Sequence, residues 1–454
     1  MAATELPAVV RADETSVLPR ELDLAYPSID RGEGVWLHGV DGRRILDACG
    51  GGAMVACLGH GRADIAAAAA AQAERLSYTY YHAFTNDVQE LLGRRILETA
   101  APGMARVRFV SGGSEANEMA LRLARAYHVD RGERDRWRIV SPAQAYHGAT
   151  FGTLALTGRP ALQAPYGPYL AKSLHIPPST RRHDGTGEQA LAELDRVVEE
   201  AGAGTIAAFF CEPVSGASLP AYSPPERFWE GLAERRERYG FLVCFDEIVT
   251  GAGRTGTWFA ADPLPLEPDI VTFGKGFGAG YAPLAGILCR QHVYDAIAGG
   301  SRELEHGHTW DGAPQSCAVG LAVLDELVEQ DLVAHVAERG PRLSEELTEA
   351  LAGLDIVGQV RGRGFLLGVD LVDPRDGESP LPADLDAASL VDTIALERDL
   401  LVTSSHSTPD GFAGDATLLA PAYTASDEEL AQMVERLAET LAEAERRILP
   451  ALPA

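Results

Sequence analysis

The chain has 454 residues, 46% of them hydrophobic, enough for a large core and two or more lobes. Its formal net charge of −27 argues against nucleic acid and anionic membranes as partners, and no apolar run is long enough to span a bilayer. Residues 1 to 20 are polar and lack the apolar stretch of a signal peptide, so a cytoplasmic protein is the expectation.

The stretch 35–48 predicts a hairpin with an Asp41-Gly42 turn. A glycine-rich turn follows at 50–52, then an Ala-rich helix over 62–76. From about 105 to 290, short apolar runs (107–110, 138–140, 206–211, 241–245) alternate with helical patterns (115–131, 186–202, 226–239). That alternation predicts an α/β layer with a mostly parallel sheet. Beyond 330 the pattern changes to helix 331–352, strands within 356–372, helix 385–399 and a long charged amphipathic helix at 426–448. The expected division is an N-terminal segment to 60, a large domain over 61–330 and a small α+β domain over 331–454. The hairpin is expected to pack with the small domain. Residues 373–384 read as an exposed loop. Cys49, Cys57, Cys211, Cys244, Cys289 and Cys317 form no Cys-x-x-Cys pair and no metal-ligand spacing, so free thiols and no metal are expected.

Four segments carry candidate chemistry. Lys275 follows the apolar run 269–272 and sits among glycines, where its amine could approach a ligand aldehyde and form a Schiff base. In Ser111-Gly112-Gly113-Ser114, a strand end meets a helix start, and backbone N–H groups with the Ser114 hydroxyl suit a phosphate. A glycine turn with a serine cap accounts for the same residues. Tyr146, in Ala145-Tyr146-His147-Gly148, could stack on a flat ring or serve as a core anchor. Asp246 ends a buried run, where α/β sheets place their sites, and could pair with a protonated ring nitrogen. The run Gly251-Ala252-Gly253-Arg254-Thr255-Gly256 matches a dinucleotide fingerprint, but no helix is predicted after it, so a Rossmann site is not expected.

With the motifs SGGSEANEMALRLAR (111–125), AYHG (145–148), CEPV (211–214), DEIVTGAGRTG (246–256), FGKGFGAGYAPL (273–284) and HGHTWDGAP (306–314), the chain resembles class III, ω-type aminotransferases of PLP fold type I. The resemblance covers roughly residues 30–445. It implies a large domain with a mostly parallel, seven-stranded-type sheet, and pyridoxal 5′-phosphate as cofactor. It implies that Lys275 holds the cofactor aldehyde and moves the substrate proton. Asp246 would bind the ring nitrogen, with Ile248 and Tyr146 on the two ring faces. Gly113 and Ser114 would hold the phosphate, His147 would lie beside the cofactor, and Glu212 would stand near the ring hydroxyl or brace the site. Thr309 would reach the phosphate of a neighbouring subunit, which implies a homodimer with shared sites and allows a tetramer. On its own residues, Thr309 could equally cap the following helix.

The expected reaction is a ping-pong transfer of an amino group from an amine or ω-amino acid to a keto acid, aldehyde or ketone. Racemisation, amino-group migration and decarboxylation on the same scaffold are alternatives, and a non-catalytic binding protein is a third. Many relatives place a carboxylate-binding arginine in the C-terminal lobe, but residues 399–423 here contain no Arg or Lys, and Ala422 stands where a second proline is usual. The aromatic run 77–84, with Tyr81 and Phe84, and Met54 across from it, are the expected pocket wall or part of a dimer interface.

Overall fold

The computed structural model describes residues 7–180 and 184–452; of the polar leader 1–20, residues 1–6 lie outside the described residues. After a short antiparallel pairing of Val9–Val10 with Tyr26–Pro27, the chain forms an antiparallel meander of β1 (Ile29–Glu33), β2 (Trp36–Gly39) and β3 (Arg44–Asp47), one strand more than the predicted hairpin. A tight turn over Gly50–Met54 follows, with Gly51 and Gly52 both at φ 77, a backbone that side-chain-bearing residues rarely adopt. The Asp47 carboxylate holds this turn. It accepts the N–H groups of Cys49 at 3.1 Å and Gly51 at 2.5 Å, and pairs with His60 at 2.9 Å. Helices α1 (Ala63–Arg75) and α2 (Asp87–Thr99) come next, the second capped by Asn86, which accepts the Gln89 N–H at 2.9 Å.

The large sheet contains β4 (Met104–Val110), β5 (Arg138–Pro142), β6 (Leu174–Ile176), β7 (Ile206–Cys211), β8 (Leu242–Glu247), β9 (Ile270–Phe273) and β10 (Ala285–Arg290). Their spatial order is β4-β10-β9-β8-β7-β5-β6. Every pairing is parallel except the two made by β10, which runs antiparallel to both neighbours. Strands β7, β8 and β9 are buried at every residue, because helices cover both faces of the sheet. Alternate side chains serve the two faces. Ala208, Phe210, Leu242 and Cys244 pack with α3 (Gly113–Asp130). Phe209, Val243 and Phe245 pack with α4 (Glu188–Ala201) and α5 (Glu226–Tyr239), where Trp229 meets Phe245 edge-on at 5.4 Å. Truncating such a buried ring costs about 3–5 kcal/mol.

After α6 (Pro314–Glu329) and α7 (Leu332–Leu351), β11 (Val357–Arg363) and β12 (Leu366–Leu371) begin a second sheet. Helix α8 (Ala387–Glu397) leads to β13 (Leu400–Leu401), β14 (Thr403–Ser405) and β15 (Ala416–Leu419), and this antiparallel sheet has the order β11-β12-β15-β14. Strand β13 leaves it and pairs parallel with β3, Leu400 opposite Leu46. Helix α9 (Asp427–Ile448) closes the chain, opened by a Ser426/Glu429 capping box and buried along Leu430, Met433, Leu437, Leu441, Ala444 and Ile448, a 3–4-residue stripe. All six cysteines are buried and free, and among the described residues no helix is long and apolar enough to cross a membrane.

Candidate active site

The segments singled out in the sequence leave one edge of the large sheet, at the carboxyl ends of its parallel strands. At the end of β4 the chain turns through Gly112, and α3 starts at Gly113 without a side-chain cap, so its first-turn N–H groups and dipole face the edge. The cap that the sequence left open for Ser114 is not made. The Ser114 Oγ instead accepts the Ala149 N–H at 3.1 Å and keeps its proton to donate. The two loops are pressed together: a Cβ on Gly148, which has φ 132, would lie 2.6 Å from both Ser114 Oγ and Thr153 Oγ1.

Asp246, near the end of β8, accepts hydrogen bonds on both oxygens. Its Oδ2 accepts from Asn117 Nδ2 and His147 Nδ1, each at 2.8 Å; its Oδ1 accepts the Ile248 N–H at 3.1 Å and the Thr272 hydroxyl at 3.4 Å. Asn117 also donates to the His147 carbonyl at 2.7 Å, and the His147 ring stands edge-on to Phe210 at 4.8 Å. The His147 Nε2 and Asn117 Oδ1 are buried without a protein partner. Asn117 was quoted in a motif but given no role. The signal was a lone amide in the buried stripe Ala116, Met119, Ala120, Leu123 of α3.

Glu247 points the other way, as strand geometry requires. It accepts from Thr250 Oγ1 at 2.7 Å and from the N–H groups of Ala260 and Ala261 at 2.7 and 2.9 Å. Burial raises its pKa to about 7. The adjacent carboxylates therefore cannot share a metal. The glycine run 251–256 forms turns with no helix after it. Its Arg254 is buried and donates to the carbonyls of Phe365 and Pro421, tying the large sheet to the C-terminal lobe.

Lys275 opens a short turn after β9 with φ 41, an uncommon backbone for a residue with a side chain. Burial lowers the pKa of its amine, and the charges of Asp246, Cys49 and Glu212 oppose that shift. Ile248 fills the gap between Gly113 and Gly274, where added Cβ atoms would come 3.0 and 3.3 Å from its side chain. The 50–57 segment packs on the same turn through Cys57 Sγ, 3.3 Å from the Gly276 carbonyl; Met54 is buried at φ 58. Tyr146 is exposed at its ring, and its N–H donates to Glu212 at 3.2 Å.

The other residues expected at the site lie elsewhere on the chain. Thr309 is exposed on the 303–310 loop, and the cap position of α6 is Ala313, so the alternative in which Thr309 caps that helix does not hold. Tyr81 lies under the Arg108 guanidinium, 4.8 Å from its ring, while Arg108 pairs with Asp311 at 2.7 Å. Phe84 is 66% exposed. Within one chain, then, Thr309, Tyr81 and Phe84 are not brought to Lys275.

The class III aminotransferase family profile matches residues 18–441. An uncharacterised aminotransferase of Bacillus subtilis is 31% identical over 442 residues, 94% of this chain and 98% of its own. The diaminobutyrate–2-oxoglutarate transaminase of Halomonas elongata is 32% identical, covering 90% of this chain and 88% of its own. The PLP-bound amine transaminase of an uncultivated Pseudomonas species superposes with a TM-score of 0.85 at 32% identity, over 96% of this chain and 97% of its own. The chain belongs to the class III aminotransferases. Its cofactor is therefore pyridoxal phosphate, and its reaction is transamination. The residues present in this aminotransferase fit that group: an uncapped helix start beside a serine hydroxyl, a carboxylate held by Asn117 and His147, an exposed aromatic ring and a desolvated lysine share one edge.

Proposed function

We propose that this aminotransferase moves an amino group from a small amine to a small carbonyl compound, with Lys275 as the group that binds the cofactor and moves the proton. The observation that carries this is the placement of Lys275 beside Asp246, with an amine whose pKa burial has lowered. Pyridoxal phosphate, when bound, supplies an aldehyde carbon for the donor nitrogen and a ring that takes up negative charge from the reacting carbon. The protein does the rest. With the cofactor bound, the amine of Lys275 would take the proton from the donor carbon and deliver it across the nitrogen to the cofactor's aldehyde carbon. Asp246, negative and held by Asn117 and His147, keeps a ring nitrogen protonated. Ile248 and Tyr146 hold the ring from its two faces, and the start of α3 with Ser114 holds the phosphate. Hydrolysis frees the carbonyl product, and the second half-reaction runs the same steps backwards on the acceptor.

We also read the protein as a homodimer in a cytoplasmic setting. Thr309 and Trp310, with Tyr78, Tyr80, Tyr81 and Phe84, present exposed groups on neighbouring loops, and Tyr78 meets Trp310 edge-on at 6.0 Å. A second copy would cover these rings and bring Thr309 to a phosphate. The test is the visible spectrum of the purified protein with added pyridoxal phosphate, before and after separate amines. A chromophore that one amine class bleaches, with release of the matching ketone or aldehyde, is the expected result. No chromophore would remove the role given to Lys275.

A further inference from the structure

Glu212 stands near Lys275 without an ion-pair partner among the described residues, and that points to the donor. The inference rests on the transaminase reading and adds a substrate class to it. Glu212 follows β7 at the site edge and is partly exposed. Its Oε1 accepts the Gly216 N–H at 2.9 Å; its Oε2 accepts the Tyr146 N–H at 3.2 Å and lies 3.5 Å from Ser215 Oγ. All three donors are neutral, and among the described residues Glu212 has no Lys, Arg or His ion-pair partner.

Arg254 and His406 are committed elsewhere. Arg254 is 1% exposed, donates to two backbone carbonyls and stacks on Tyr423 at 4.6 Å, so no ligand reaches it. Residues 399–423 contain no Lys or Arg. Within them, Thr403 lies against the glycine turn beside Lys275 and spends its hydroxyl on the Gly52 carbonyl at 2.5 Å. His406 is paired outward with Asp386 at 2.9 Å. Asp246 is the second carboxylate of the site, and its side-chain donors are the Asn117 amide, the His147 imidazole and the Thr272 hydroxyl. Burial pushes the Glu212 carboxyl up to about 7, with His147 opposing the shift, and a donor bringing a distal carboxylate to this edge adds a third carboxylate beside Glu212 and Asp246. A donor bringing a second ammonium meets an acceptor with unused lone pairs.

We propose that Glu212 is a specificity-determining residue that receives the distal ammonium of the donor, so that α,ω-diamines are preferred over ω-amino acids of equal length. The Tyr146 and Gly216 N–H groups fix the carboxylate in place, and the second ammonium becomes its ion-pair partner.

The test uses the PLP-loaded protein and three donors of matched length: 1,4-diaminobutane, 4-aminobutyrate and butylamine. The rate of chromophore loss gives kcat/KM for each half-reaction. In the unaltered protein, the diamine is expected to exceed 4-aminobutyrate at least tenfold, with butylamine between them. In Glu212→Gln, the ratio of diamine to butylamine is expected to fall at least fivefold, through KM rather than kcat. A preference for 4-aminobutyrate in the unaltered protein overturns the proposal without any variant. An equal loss for diamine and butylamine in Glu212→Gln is what a purely bracing role gives, and it also overturns the proposal. If none of the three amines bleaches the chromophore, the transaminase reading fails and this inference with it.

Discussion

At the carboxyl edge of the large sheet, Asp246 has four donors and Glu247 three, all within the same chain, whereas Thr309 and Phe84 lie open to solvent and Trp310 is 53% exposed. Both regions carry residues expected at the site. The first is organised before any ligand arrives: each carboxylate oxygen has a partner, and backbone strain at Lys275 is held by the packing of Ile248 and the 50–57 segment. The second has large rings that stay exposed although Trp310 meets Tyr78 edge-on, and a Thr309 hydroxyl exposed beside them. A site built to stabilise charge needs the first kind of rigidity, because donors fixed in advance cost no reorganisation during reaction. The second kind of surface is what a subunit interface looks like from one side.

The difference can be broken from the interior first. Lys275→Ala should lower turnover by roughly a thousandfold or more, since it removes both the cofactor tether and the proton carrier. The variant should still bind pyridoxal phosphate, measured by equilibrium dialysis, through the start of α3. Full activity in the variant would end the assignment. Next comes Glu247→Gln. Three hydrogen-bond donors point at this side chain, and the amide nitrogen would have to face one of them. A loss of about 2–3 kcal/mol in urea unfolding is expected, although a buried carboxylate has been removed. Asn117→Ala should weaken the protein's hold on the cofactor about tenfold and lower kcat, by freeing one oxygen of Asp246 from a charge-assisted hydrogen bond of about 1.5 kcal/mol.

The surface region should respond in another register. Trp310→Ala should leave the far-ultraviolet spectrum unchanged while raising the dimer dissociation constant about tenfold, seen by sedimentation. A variant as dimeric as the parent would mean that this face is not the interface. Thr309→Ala should be the mildest, weakening cofactor retention by about threefold to tenfold, the worth of one hydrogen bond to a charged group. The loss should vanish at dilutions where the protein is monomeric, since Thr309 then serves no site.

Much of the interior was legible in the chain because its signals are local. The runs 206–211 and 241–245 read as buried strands because residues covered on both faces must all be apolar. The glycines around Ser114 and Lys275 marked where backbone comes close, and Ile248 lies against two of them. The antiparallel course of β10 was not legible, since hydrogen-bond direction leaves no mark on composition. Helices α2 and α6 were passed over as well, and Asn117 went unassigned although its motif was quoted.

The family and the α/β class could be read from the chain alone, because periodicity, glycine placement and a lysine among glycines are properties of neighbours along the chain. Only the tertiary structure decided which groups answer one another. It joined Asn117 and His147 to one oxygen of Asp246, turned Glu247 away from the site, set Thr403 on a glycine carbonyl and left Glu212 without an ion pair among the described residues. Those facts depend on distances between residues tens to hundreds of positions apart, and no local pattern in a chain records them.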